Sequence, residues 1–65
     1  VVQEIIQVCY ELTPDNLDRE VKGIVEAMRY FNFSKGTIVT FSQKDKIIVN
    51  TYEIEVVPAW EKLVE

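Results

Sequence analysis

Histidine is absent from the sequence, and cysteine occurs once, at Cys9. Without an imidazole there is no Ser-His or Cys-His nucleophile pair and no His-ligated zinc. A single thiol excludes, within one chain, both a disulfide framework and a CxxC metal or redox pair, so a reducing cytoplasm is the expected compartment. No apolar run reaches spanning length and no signal-peptide layout is present, so no membrane association is expected. Positive charge is scarce too: 7 Lys and Arg against 11 Asp and Glu give a formal charge of −4. The bases are scattered at Arg19, Lys22, Arg29, Lys35, Lys44, Lys46 and Lys62. Avid nonspecific binding to nucleic acid needs clustered bases that displace counterions, so nucleic acid is a possible partner only through a basic patch assembled in the fold. Repeats, low-complexity segments and internal linkers are missing as well.

The 65 residues form one domain at most. A chain of this size buries only about 60% of the surface its unfolded form exposes. Stability from a partner surface is therefore expected, and a start at Val1 rather than Met suggests a piece of a longer protein or a processed product, read here as a fragment.

The organising stretch is Ile5-Ile6-Gln7-Val8-Cys9-Tyr10-Glu11-Leu12, followed at once by Thr13-Pro14-Asp15-Asn16. A β-branched and aromatic run ended by a turn-and-cap signal predicts a strand covered on both faces. Alternation puts Ile6, Val8, Tyr10 and Leu12 on one face, and Ile5, Gln7, Cys9 and Glu11 on the other. A helix is expected over the Ile6/Val8 side. Val1 to Glu4 either extend this strand or end a connection.

Thr13 as N-cap, Pro14 at the first helical position and the acids Asp15 and Asp18 near the positive end predict a helix start. Leu17, Val21, Ile24, Val25, Met28 and Phe31 then recur as one apolar stripe. Asp15 with Arg19, Asp18 with Lys22 and Glu26 with Arg29 are spaced for outward-facing pairs, each worth about 0.2–0.5 kcal/mol. Gly36 is the expected site of a positive φ before the strand Thr37 to Ser42. Strand, helix and strand make a βαβ unit with parallel strands, right-handed in about 98% of cases. Gln43 to Lys46 reads as a polar turn, Ile47 to Val49 as a short strand, and Asn50-Thr51 as a hairpin tip. Tyr52 to Val56 alternates cleanly, as a strand with one wet face near a sheet edge does. Pro58 opens a last short helix in which Trp60, Leu63 and Val64 cap the core. The expected class is α/β: strand, helix, strand, hairpin, strand and short helix on a mixed sheet.

Ile6 to Leu12, Leu17-Asp18-Arg19-Glu20-Val21 through Glu26-Ala27-Met28, and Val56-Val57-Pro58-Ala59-Trp60 together carry a resemblance. In order and spacing they resemble the C-terminal domain of a family of AAA-type P-loop ATPases, common in archaea and of poorly defined function. That domain is similar to the PD-(D/E)XK, or restriction-endonuclease-like, fold. The resemblance covers the chain from Ile5 on and implies the back half of such a domain. A helix, two strands and the first catalytic carboxylate would precede it, with an ATPase module using ATP and Mg further upstream. In active members the strand matching Ile6 to Tyr10 bears (D/E)-x-K, whose acid holds a divalent metal and whose Lys orients the attacking water. The matching positions here are Gln7 and Cys9. Gln7 keeps a carbonyl oxygen without the charge and Cys9 lacks the ammonium, so the motif is degenerate and no catalytic, cofactor or metal residue is assigned.

Each candidate has a structural alternative. Gln7 is a vestigial metal or nucleic-acid contact, or a buried amide bonded to neighbouring backbone. Cys9 is a reactive thiol, or a small core residue, which the lack of an adjacent base favours. Tyr10, Tyr30, Phe31, Phe33, Tyr52 and Trp60 are stacking platforms, or packing residues, which the lack of interleaved bases favours. Glu53 and Glu55 are a carboxylate pair, or charged guards of an edge strand. Glu4 and Glu11 lie near the motif without a reason to assign them. The expected function is a noncatalytic, nuclease-like accessory module of a P-loop ATPase in recognition or assembly. The alternatives are part of a metal-dependent nuclease whose acids precede the chain, and a stand-alone protein-interaction module. The expected partners are the ATPase module and, because the first strand would lose its neighbour, a second copy in a homodimer through the Val1 to Tyr10 edge.

Overall fold

In the computed structural model, which describes residues 4–63, the chain runs β1 (Ile6–Val8), α1 (Leu17–Phe31), β2 (Lys35–Thr40), β3 (Asp45–Val49), β4 (Tyr52–Pro58) and α2 (Ala59–Leu63). The strands form one sheet in the order β1-β2-β4-β3, with β1 and β4 parallel to β2 and β3 antiparallel to β4. The chain is thus a small α/β domain with a mixed four-stranded sheet and two helices in a βαβ-like arrangement. The expectations for Val1 to Gln3 and for Val64 lie outside the described residues.

Thr13 and Asn16 close the turn that leads into α1. The Thr13 N–H donates to Asn16 Oδ1 at 2.8 Å, and the Asn16 N–H donates to Thr13 Oγ1 at 3.3 Å. This is the reciprocal bonding of a capping box, with Asn in the acceptor role that Glu or Gln commonly fills. Regular helix nevertheless starts at Leu17, after one turn and with Asn16 in the N-cap position, later than the Thr13-Pro14 signal alone implies. It ends at Asn32, whose φ of 67° lets the Phe33 N–H reach the Met28 carbonyl at 2.8 Å.

Gly36 does not take the expected positive φ; among the described residues the left-handed ones are Asn32 and, at the hairpin tip, Asn50. Gly36 lies inside β2, which begins at Lys35 and ends at Thr40. A Cβ there would stand 2.9 Å from Met28 Sδ and 3.1 Å from Ile24 Cδ1. The missing side chain is thus what lets α1 settle on the sheet.

The core is Ile5, Ile24, Val25, Met28, Ile38, Ile54 and Val56. This corrects the expected faces of the first strand. Ile5 is buried and Gln7 and Cys9 half-buried under α1, whereas Ile6, Val8 and Tyr10 are 46, 77 and 71% exposed. Both faces of the stretch are largely apolar, so alternation groups the residues without saying which group meets the helix. The tie is broken by Gly23, against which the Gln7 amide fits, and by Glu20, which accepts its hydrogen bonds.

Three further expectations are corrected. Trp60 is exposed rather than closing the core, because α2 has only 5 residues and none of its side chains is buried. β4 is interior rather than near an edge, because the hairpin folds β3 to its outside. The ion pairs expected along α1 are not among those of the described residues, where Arg19 meets Glu20 instead, at 3.6 Å. No helix among the described residues is long and apolar enough to cross a membrane.

Candidate functional site

β1 and the first turns of α1 hold the two motif positions. In the parallel register Gln7 aligns with Ile38, which aligns in turn with Val56, so Gln7 shares the face that carries the core. Its Nε2 donates to the Glu20 carbonyl at 2.9 Å and to Glu20 Oε1 at 2.8 Å. Both bonds join residues far apart in the chain and fix the height of α1 over β1. The Gln7 amide is therefore engaged with α1, as a part-buried polar group must be engaged with something.

Cys9 sits at the exit of β1, where its N–H donates to the Val39 carbonyl at 2.9 Å. Its thiol lies 3.4 Å from the Glu11 carbonyl and 3.9 Å from Asn16 Nδ2, which itself donates to that carbonyl at 2.9 Å. No cation is among these contacts. Among the described residues no group of three or more His, Cys, Asp or Glu is placed to hold a metal ion. Gln7 and Cys9 thus share a face, as their spacing requires, without converging on a common point of chemistry.

The remaining candidates are dispersed. Glu4 pairs with Lys62 at 2.9 Å and Glu53 with Lys46 at 3.1 Å, so Glu53 has a partner and stands on an interior strand. The aromatic residues divide. Phe33 and Tyr52 pack against the core as expected, whereas Tyr10, Tyr30, Phe31 and Trp60 are exposed, which corrects their reading as packing residues. Tyr10 stacks on Phe41 at 5.2 Å between ring centroids, and Tyr30 meets Phe31 edge-on at 4.9 Å.

Gln43 is the functional-looking residue that sequence reasoning missed. Its Oε1 accepts from the Leu12 N–H at 2.6 Å and its Nε2 donates to the Leu12 carbonyl at 2.9 Å, so the side chain imitates a paired strand residue. Thr40 Oγ1 accepts the Gln43 N–H at 2.9 Å and donates to its carbonyl at 3.0 Å. The clamp borders a groove of about 490 Å³ whose lining includes Leu12, Thr13, Leu17, Gln43 and Ile47. An open α/β sheet binds ligands beyond the carboxyl ends of its parallel strands. Here the polar groups of the clamp are already bonded to one another. An amide in a stretch of polar turn residues gives no warning of this role.

Among known proteins, the chain is similar to an uncharacterized protein of Methanocaldococcus jannaschii, with 37% identity over 65 aligned residues. The alignment covers 91% of this chain but 15% of that protein, so the chain spans a small part of the length of its relative. No family profile and no solved structure matches the chain.

Proposed function

We propose that the chain is a noncatalytic, nuclease-like accessory module of a P-loop ATPase, acting in the cytoplasm in recognition or assembly. Its β1-α1-β2 unit would be half of a restriction-endonuclease-like sheet, and ATP and Mg would be used by the ATPase module. The observation that carries the noncatalytic part is the engagement of Gln7. Where an active member would aim a carboxylate at a metal, this chain has an amide whose donor group is bonded to Glu20 of α1. Coverage of only 15% of the Methanocaldococcus jannaschii relative supports the reading as a module. The ATPase itself rests on the resemblance of the three sequence blocks. A GxxxxGK(S/T) loop in the upstream reading frame would support it, and a frame without one would remove it.

The catalytic question is tested by titration calorimetry with Mg²⁺ and Mn²⁺ beside a plasmid-nicking assay. The expected result is neither stoichiometric metal binding in the micromolar range nor cleavage. Metal-dependent nicking that Gln7→Ala abolishes would overturn the proposal in favour of a working nuclease.

A further inference from the structure

α1 packs chiefly on β2, and β4 separates β2 from β3, so a groove is left over the β3 flank of the core face. It encloses about 520 Å³, with Ile47 and Val49 of β3 as its floor and Val21 and Val25 of α1 as a wall. α1 joins β1 to β2, and β3 lies between β2 and β4, so both sides of the groove belong to the interior of the sequence. Lys22 and Arg29, two turns apart on one side of α1, line the groove and are exposed. Among the described residues neither takes part in an ion pair, whereas Arg19, Lys44, Lys46 and Lys62 each do. Asp18 borders the groove beside Leu17, so its cationic part is the stretch towards Arg29.

The outer side of β3 adds a second feature, because β3 is bonded only to β4. The tip Asn50-Thr51 makes Val49 and Tyr52 a hydrogen-bonded pair, and alternation repeats the bonding at Ile47 and Ile54. The N–H and C=O groups of Lys46 and Ile48 therefore turn to the open side. At Lys46 the Asp45 carboxylate accepts the outward N–H at 2.7 Å, in the place where an added strand would offer a carbonyl.

We infer that the groove binds an extended, acidic segment of another protein, which adds to β3 as a strand and turns alternate apolar side chains onto Ile47 and Val49. Main-chain bonds give such an addition its affinity, and the side-chain groove gives its specificity. From Leu17 to Arg29 α1 rises about 18 Å, the length of about five strand residues, and β3 has 5. Carboxylates of the segment would answer Lys22 and Arg29. The chain carries a net charge of −4, but charges beyond a Debye length, about 10 Å at 0.1 M salt, are screened, so the lining cations decide. Rim charges chiefly speed and select encounters between separate molecules, which favours another protein over a built-in segment. The groove gives the proposed recognition role a surface, yet it stands on α1 and β3 alone. An upstream frame without a P-loop would leave it intact, and failure of the groove would leave the ATPase reading intact.

The test titrates a short, end-blocked peptide of alternating Val and Glu into the isotope-labelled chain, beside the same peptide with Lys for Glu. The Glu peptide is expected to saturate below about 1 mM and to shift amides of β3 and of α1 from Val21 to Arg29. The Lys peptide should bind at least about tenfold more weakly, and Lys22→Gln with Arg29→Gln should weaken the Glu peptide about tenfold. Both side chains are exposed, so the double variant should keep the wild-type circular dichroism. Amide exchange at Ile48 should slow on binding, while that at Ile47, already bonded to Ile54, should not change in parallel. Equal binding of the two peptides, no saturation, or shifts confined to the face of Val8 and Phe41 would overturn the inference. So would saturation with Ile48 exchange unchanged, since the segment would then lie in the groove without pairing. Groove shifts that follow protein concentration alone would assign the site to a second copy. Binding by this chain but not by the natural protein that carries it would assign the site to that protein's own segments, and either result would equally overturn it.

Discussion

On the α1 face of the sheet Ile38, Ile54 and Val56 have 0% exposure, whereas Val8, Tyr10, Phe41 and Ile48 on the opposite face stay between 63 and 77% exposed. The buried residues belong to the interior strands β2 and β4, and the exposed ones to the outer strands β1 and β3 or to the residues just past β1 and β2. Position in the sheet and the length of the covering helix act together. α1 has 15 residues and presents Ile24, Val25 and Met28 to the sheet, while α2 has 5 residues and lies chiefly against β2 and β4. Val57 is buried outside the main core cluster, and the β1 and β3 flanks of its face remain bare. The comparison separates the face that holds the core from the face that is left to solvent.

The sharpest way to break the comparison is to truncate one residue on each side. Ile24→Ala is expected to lower stability by about 2–5 kcal/mol, the range for a buried aliphatic whose cavity cannot collapse. Val8→Ala should stay within about 0.5 kcal/mol, because Val8 is 77% exposed. Chemical denaturation of both variants decides it, and similar losses would mean that the far face is closed after all. A smaller effect is expected from adding atoms. Gly36→Ala forces a methyl against Met28 and Ile24 and should cost about 1–3 kcal/mol. Thr37→Ala, at the adjacent position on the other face, should be close to neutral in the same measurement.

The smallest effect concerns the strap between Lys44, just before β3, and α2. Lys44 Nζ donates to Glu61 Oε1 at 2.8 Å, and this hydrogen bond, with the charge of Glu61, lifts Lys44 above the ordinary lysine value. A pKa raised by folding adds stability that is complete below the unfolded value and lost as pH rises through the folded one. The difference between wild type and Lys44→Met should therefore be small and flat from neutral to mildly alkaline solution and fade in strong alkali. Because the Lys44 side chain is exposed, a large difference would show that the strap holds α2 more firmly than its surroundings suggest.

The order of elements was legible because the signals are local. The stripe through Val21, Ile24, Val25 and Met28 has the helical period, and Asn50 does take the positive φ that a hairpin tip needs. The face of β1 was not legible, since Ile5 and Ile6 are equally apolar and only the contact of Gln7 with Gly23 and Glu20 distinguishes their sides. Gly36 misled for a related reason: positive φ and close approach leave the same mark in a sequence. Of the candidate site, the common face of Gln7 and Cys9 followed from alternation. What that face meets depends on α1, which no spacing within the strand encodes.

The clamp of Gln43 on Leu12 bears on the order in which the protein is made. Its two bonds span 31 positions, and β2, the neighbour of β1, is likewise supplied from beyond α1. During synthesis the segment from Ile5 to Leu12 is made before α1, β2 and Gln43, so neither the β1–β2 ladder nor the clamp can close until about thirty further residues have followed. Of the elements it bonds to in this sheet, β1 meets each one only after that element has been translated in its turn.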